Sequence, residues 1–181
     1  NQNHGMINGA TWYENVYGCT NELAVNYNFE ANWDDGSCIF EESVELNQGA
    51  NLVGFNVAPL DLDMFPECVT AIIAEGVAAS YIPDIGWVGS ITEINCGDGY
   101  WVISSSDDCV IQYEGDEMCP DSYQVNIGYN LISYPCNQSG NISDVLPDNV
   151  EFCFDSFIGA GVAASQISPF QWVGSLSQFI P

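Results

Sequence analysis

The chain has no lysine and no arginine in 181 residues, and its single histidine is His4. A soluble domain is about one-quarter charged with the two signs mixed, so this absence removes whole classes of chemistry. Phosphate neutralisation needs Lys or Arg, which excludes nucleic acid as a partner. Attraction to anionic membranes through a polybasic patch is excluded on the same ground. No phosphate-binding loop with its lysine and no dinucleotide fingerprint is present. A Ser–His–Asp or Cys–His centre would have to use His4, beside Gly5, and a histidine-rich zinc site lacks its ligands. Trypsin-like proteases find no cleavage site. Long apolar runs are also missing, so no membrane span is expected. The opening NQNHGMINGA lacks the basic and apolar regions of a signal peptide, and a secreted mature chain, or a fragment of one, is expected.

What is present is acidic and apolar at once. Twenty-five Asp and Glu give a formal charge of −25, while 47% of residues are hydrophobic and 13% aromatic. Disorder goes with low hydrophobicity, so the chain is expected to fold, its self-repulsion met by salt, bound cations or glycans. Eight cysteines point to an oxidising compartment and to an extracellular or cell-surface location.

The halves of the sequence repeat. GVAASYIPDIGWVGS (Gly76 to Ser90) aligns without gaps on GVAASQISPFQWVGS (Gly161 to Ser175), with ten of fifteen positions identical. The same offset puts Cys68 on Cys153. Upstream, GANLVGFNVAP from Gly49 aligns with GYNLISYPCNQ from Gly128. Alternating apolar segments, Gly and Pro punctuation and Trp/Val/Ile-rich runs predict a mostly β chain of two related sandwich-like (Ig-like) units. The patches CVTAIIAEGVAA and FDSFIGAGVAA are expected to hold short helical turns, with Trp87 and Trp172 as core residues. The division reads as an N-terminal arm over 1–17, a disulfide-closed loop over 18–40, copy one over 41–117 and copy two over 118–181. Copy one ends in the strand-like GYWVISSS, whose equivalent would begin after Pro181. Copy two is therefore expected to lack its last strand. It would be completed either by further chain or in trans by a donor such as Ile7 to Gly18, where Trp12 and Tyr13 follow a glycine.

The repeat ranks the cysteine pairings as Cys19–Cys38, Cys68–Cys96, Cys109–Cys119 and Cys136–Cys153. Cys96 falls on Pro181 in copy two, and Cys136 replaces Val57 as the partner for Cys153.

The loop GCTNELAVNYNFEANWDDGSC, Gly18 to Cys38, concentrates side-chain oxygens. Asn21, Asn26, Asn28, Glu30, Asp34 and Asp35 precede Gly36, and a hard cation such as Ca²⁺ takes six to eight oxygens. The spacing is not that of an EF-hand. Gly18, Cys19, Thr20, Ala24, Asn26, Tyr27, Asn28, Ala31 and Asp34 to Cys38 match a repeat similar to thrombospondin type 3 calcium repeats, found in large secreted cell-surface proteins of bacteria. Asn21 stands where the family usually has Asp, and Val25 where some members carry a third Cys. The resemblance implies structural calcium held by Asn21, Asn26, Asn28, Asp34 and Asp35. The repeated units show a fainter likeness to β-modules of the same secreted proteins, which open on G-x-N-L-I-S-x-P and close on G-x-G-Y-W-V. Here these are Gly128 to Pro135 and Gly97 to Val102.

No catalytic constellation is found, and no enzyme is expected. The pairs Asp34–Asp35 and Asp107–Asp108 read as solvated or metal-bound turns rather than glycosidase carboxylates. Asn137 and Asn141 are sequon asparagines, candidate glycan acceptors in one polar loop. The sequence thus predicts a secreted structural protein. It would be a subunit of an extracellular fibre or pilus-like filament, a homopolymer joined by strand complementation, with no nucleic acid and no membrane insertion. The alternative is an adhesion or carbohydrate-binding module of a larger secreted protein.

Overall fold

The computed structural model describes residues 14–57, 59–115, 124–134 and 139–180. The chain is mostly β, in several small sheets with short helices, a sandwich-like class. No helix among these residues is long and apolar enough to cross a membrane.

The loop module comes first. Its strands β1 (Tyr17–Gly18) and β2 (Trp33–Asp34) run parallel, and the Cys19–Cys38 disulfide closes it as expected. Copy one then folds as β3 (Phe40–Leu46), β4 (Gly49–Gly54), β5 (Leu60–Asp61), β6 (Val69–Ala74), β7 (Val77–Ile82), β8 (Gly86–Gly89), β9 (Glu93–Ile94), β10 (Gly99–Ser104) and β11 (Cys109–Gly115). Five strands make one sheet in the order β4-β10-β6-β7-β8, while β3 pairs with β11 and β5 with β9. Strand β11 alternates as a half-buried strand should, with Cys109, Ile111 and Tyr113 inward and Val110, Gln112 and Glu114 outward. The core gathers Val53, Phe55, Leu60, Val69, Ile72, Ile94, Tyr100, Val102 and Ile111, all at most 5% exposed. Phe55 is its hub, with edge-on rings from Phe65, Tyr100 and Tyr113 at 5.3 to 5.8 Å.

The patch CVTAIIAEGVAA is not helical. Val69, Thr70, Ile72 and Ile73 are β-branched and favour a pleated surface. Gly76 takes φ +75° in the two-residue turn that joins β6 to β7. The equivalent patch of copy two is likewise strand and turn, with Gly161 at φ +76°. The helical residues lie upstream of it.

Copy two comprises β12 (Gly140–Asn141), α1 (Ile142–Val145), α2 (Asp148–Glu151), β13 (Ser156–Ile158), β14 (Ala163–Ser168), β15 (Gln171–Gly174) and β16 (Gln178–Phe179). The order β13-β14-β15 repeats β6-β7-β8, and β12–β16 repeats β5–β9. The correspondence extends to single bonds. The Ser90 hydroxyl accepts from Ala78 N–H at 3.1 Å, and the Ser175 hydroxyl accepts from Ala163 N–H at 3.1 Å. Each copy opens on the same turn, in which Asn51 or Asn130 accepts the N–H of Asn47 or Asn126 and donates back to its carbonyl.

Three expected disulfides are corrected. Cys68 bonds to Cys109, which overturns both the Cys68–Cys96 and the Cys109–Cys119 pairings. Strands β6 and β10 are antiparallel with Ser104 opposite Val69, so the chain leaving β10 passes Cys68. Cys96 precedes β10 at the far end of β6. Cys96 is itself disulfide-bonded. Cys153 is an exposed free thiol rather than a bonded partner of Cys136. Cys119, Cys136 and the sequon residue Asn137 lie outside the described residues.

Candidate functional site: an open sheet edge in the second unit

In copy one, β6 lies inside its sheet between β10 and β7; among the described residues of copy two, the equivalent β13 is the edge of a three-stranded sheet. Hydrogen bonds fix which backbone groups face the open side. Gly159 N–H donates to the Val162 carbonyl and Gln166 N–H to that of Asp155, so Asp155, Phe157 and Gly159 turn their polar groups to β14. By alternation, Ser156 and Ile158 point theirs away from it. Their counterparts Ala71 and Ile73 pair with Ile103 and Trp101 of β10.

Burial follows the same line. Val69 and Ile72 are fully buried under β10, whereas their equivalents Phe154 and Phe157 are half-buried and Ile158 is 71% exposed. Among the described residues the main core cluster lies wholly between Cys19 and Tyr113, and copy two adds only Ile142 and Ala164 as buried apolar side chains. Copy two has instead a half-open aromatic chain. Tyr134 meets Phe179 at 5.4 Å, Phe179 meets Phe157 at 5.0 Å, and Phe157 meets Phe154 and Trp172 at 5.2 and 5.1 Å. Tyr134 is the counterpart of Phe55, which in copy one packs on Tyr100 from β10 and Tyr113 from β11.

The counterpart of β4 is displaced too. Leu131 to Ser133 dock against the approach to β10, with Gly99 N–H donating to Leu131 and Ser133 N–H to Gly97. A single bridge joins Asp98 to Ile132. Among the described residues, then, copy two has its opening turn without the strand that follows the same turn in copy one.

The proposed donor segment is divided. Val16 donates to the Asn32 side chain and accepts from Asn32 and Trp33 N–H, while the Asn32 amide donates to the Glu14 carbonyl. Residues 14–18 are thereby pinned to the loop module; residues 7–13 lie outside the described residues.

The loop's oxygens are engaged in its own turns. Asn21, Asn28 and Asp35 each accept an N–H two residues on, from Leu23, Glu30 and Ser37. Asn26 accepts from Ile39 N–H and donates to the Ser37 carbonyl. Asp34 accepts from Gly36 N–H and the Thr20 hydroxyl, and these bonds hold its carboxyl below the usual range. An oxygen that accepts one N–H keeps a second lone pair, so the turns are compatible with a cation. Among the described residues no three His, Cys, Asp or Glu side chains converge as a metal cage.

Elsewhere, Trp87 and Trp172 are half-buried in ring clusters, Trp87 against Phe65 and Tyr81. Asn141 is exposed and donates to Asp144 at 2.6 Å. Asp107 accepts from Gln48 N–H. A cleft of about 590 Å³ is lined by Glu41, Glu42 and Glu114 with Met64 and Tyr113. These glutamates are exposed on β3 and β11, without the apolar burial that makes a carboxyl a general acid. Sequence reading missed Glu151. It is fully buried, its Oε1 accepts from the Ser143 hydroxyl and Trp172 Nε1–H, and its Oε2 has no partner. Nothing in NVEFCF sets this glutamate apart.

Comparison with known protein families, curated proteins and solved structures finds no match to this chain.

Proposed function

We propose that this is a secreted structural protein, a subunit of an extracellular fibre whose protomers join by strand complementation. The observation that carries the reading is the edge of β13, which offers Ser156 and Ile158 backbone groups and a half-open aromatic core where copy one seats β10. An exposed edge beside apolar surface is a template for another strand. A contact between unlike surfaces of identical chains does not close unless the rotation closes, so it propagates as a filament. The Cys19–Cys38 and Cys68–Cys109 disulfides are compatible with an extracellular protein, and the lack of Lys and Arg suits a chain that must resist proteolysis outside the cell. Structural calcium in the Gly18–Cys38 loop and glycans at Asn137 and Asn141 belong to the same reading. Negative-stain imaging with and without a chelator tests it. Regular filaments are expected, shortened or lost if the loop's calcium supports assembly, and only dispersed particles would refute the reading.

A second reading is favoured by a different observation. Tyr17, Phe29 and Trp33 are 58–79% exposed on the loop module, and such rings suit an adhesion or glycan-binding module of a larger secreted protein. Retention on immobilised glycans, lost in a Phe29→Ala, Trp33→Ala variant, would favour it.

A further inference from the structure

Copy one also holds a cleft that involves neither β13 nor any joint between chains. Strands β3 and β4 are linked through Asn47 and Gln48, yet they belong to different sheets, β3 beside β11 and β4 beside β10. Hydrogen bonds between Asn47 and Asn51 fix the corner. The wedge between the two strands is a cleft of about 540 Å³. Among the described residues its walls include Phe40, Val44, Leu52, Val53 and Tyr113, all buried or half-buried.

One residue of this cleft breaks the pattern of its strand. Alternation puts Phe40, Glu42, Val44 and Leu46 on the face of β3 that meets Ile111 and Tyr113 of β11. Phe40 and Leu46 are buried and Val44 is half-buried, as core positions should be. Glu42, opposite Tyr113, is a carboxylate and is exposed, because the cleft opens there. Burial raises the Tyr113 phenol above its ordinary value, a backbone hydrogen bond from Asn56 opposes the rise, and the Glu42 charge adds to it. That charge therefore acts within an apolar recess. On the other face of the strand pair, Glu41 stands directly opposite Glu114, a like-charge pairing that costs stability. Both line an adjoining cleft of about 590 Å³, and Glu41 and Glu42 line the two clefts alike. The chain has no Lys or Arg to answer these carboxylates. Among the described residues they do not converge as a metal cage, so one small ion does not satisfy all three. Separate positive charges on a flexible apolar stem do.

We infer that the cleft between β3 and β4 is a binding site for linear polyamines, with the methylene stem against Phe40, Val44 and Leu52, one ammonium at Glu42 and a second at the Glu41–Glu114 pair. Each ammonium donates charge-assisted hydrogen bonds to carboxylate oxygens. The stem covers apolar wall that water otherwise meets. The second ammonium also offsets the repulsion between Glu41 and Glu114.

Isothermal titration calorimetry of the full chain at physiological salt tests this with methylammonium, hexylammonium and spermidine. Hexylammonium is expected to bind more tightly than methylammonium, by about fourfold for each methylene buried. Glu42→Gln is expected to weaken hexylammonium about tenfold, the share of a hydrogen bond to a charged group. Glu114→Gln is expected to weaken spermidine and to leave hexylammonium unchanged. Glu45→Gln, exposed on β3 outside both clefts, controls for general attraction to a chain of charge −25. Far-UV circular dichroism confirms that each variant is folded. Affinity that ignores stem length, or that falls equally in Glu45→Gln and Glu42→Gln, would overturn the site and show diffuse counterion binding. Failure of both hexylammonium and spermidine to bind would overturn it too, and leave Glu42 as a charge that keeps β3 from pairing with other chains. A lysine-rich peptide that binds where spermidine does not would overturn the polyamine as occupant. None of these outcomes depends on whether the chain forms fibres.

Discussion

Replacing Ile158 by proline separates the two copies. Its N–H points away from β14, and its side chain is 71% exposed. Proline is tolerated on an edge strand whose N–H faces outward, and the residue before it, Phe157, is already extended as proline requires. In the dispersed chain the substitution should therefore cost less than about 1 kcal/mol, as surface changes do. The equivalent Ile73→Pro falls inside the sheet, opposite Trp101 of β10. It removes a ladder hydrogen bond inside the sheet, about 0.5–1.5 kcal/mol, before any clash of the ring with β10. Thermal melting of dispersed chains should show Ile158→Pro within a few degrees of the parent and Ile73→Pro well below it. Sedimentation should show the converse: Ile158→Pro fails to assemble, because its lost N–H is one an incoming strand must bond. If Ile158→Pro assembles as the parent does, or destabilises the dispersed chain as much as Ile73→Pro, β13 is not an open receiving edge.

Other consequences can be measured directly. Replacing both Cys68 and Cys109 by Ala opens a 41-residue separation, and loop-closure entropy puts the loss at about 4 kcal/mol, readable in urea unfolding; a change below about 1 kcal/mol would contradict it. Burial pushes the Tyr100 hydroxyl from 10.0 up to about 12 and raises Tyr113 as well. A folded pKa above the unfolded one gives stability that is whole below pH 10 and is lost as pH rises through 12, about 2–3 kcal/mol for Tyr100. Copy one should thus melt at lower temperature between pH 10 and 12, and Tyr100→Phe should flatten that dependence. Glu151→Ala removes the acceptor shared by the Ser143 hydroxyl and Trp172 Nε1–H. A loss of about 1–3 kcal/mol is expected in copy two by urea unfolding, and an unchanged midpoint would show that these bonds contribute nothing.

Much of the fold was legible because repetition constrains it. The shared GVAAS and WVGS stretches located β7, β8, β14 and β15, and the Gly-Asn turns marked where each copy opens. The middle patches were misjudged as helical because Ala and Gly in VAA and EGV diluted the β-branched signal of Val69 to Ile73. The Cys68–Cys109 bond was hidden because it depends on the antiparallel register of β6 and β10, which sequence spacing does not reveal. Which strand of copy two lies at a sheet edge among the described residues was not legible, because that depends on the strand order, which places β10 inside its sheet rather than at its margin. Glu151 had no signal at all, since its burial comes from Trp172 and Ser143 folding over it.

The most direct test of the account is an electron cryo-microscopy reconstruction of the assembled protein at a resolution that traces the backbone beside β13. The account expects a strand bonded to Ser156 and Ile158 whose density belongs to a neighbouring copy. An empty slot, or one filled by residues of the same chain, would contradict it.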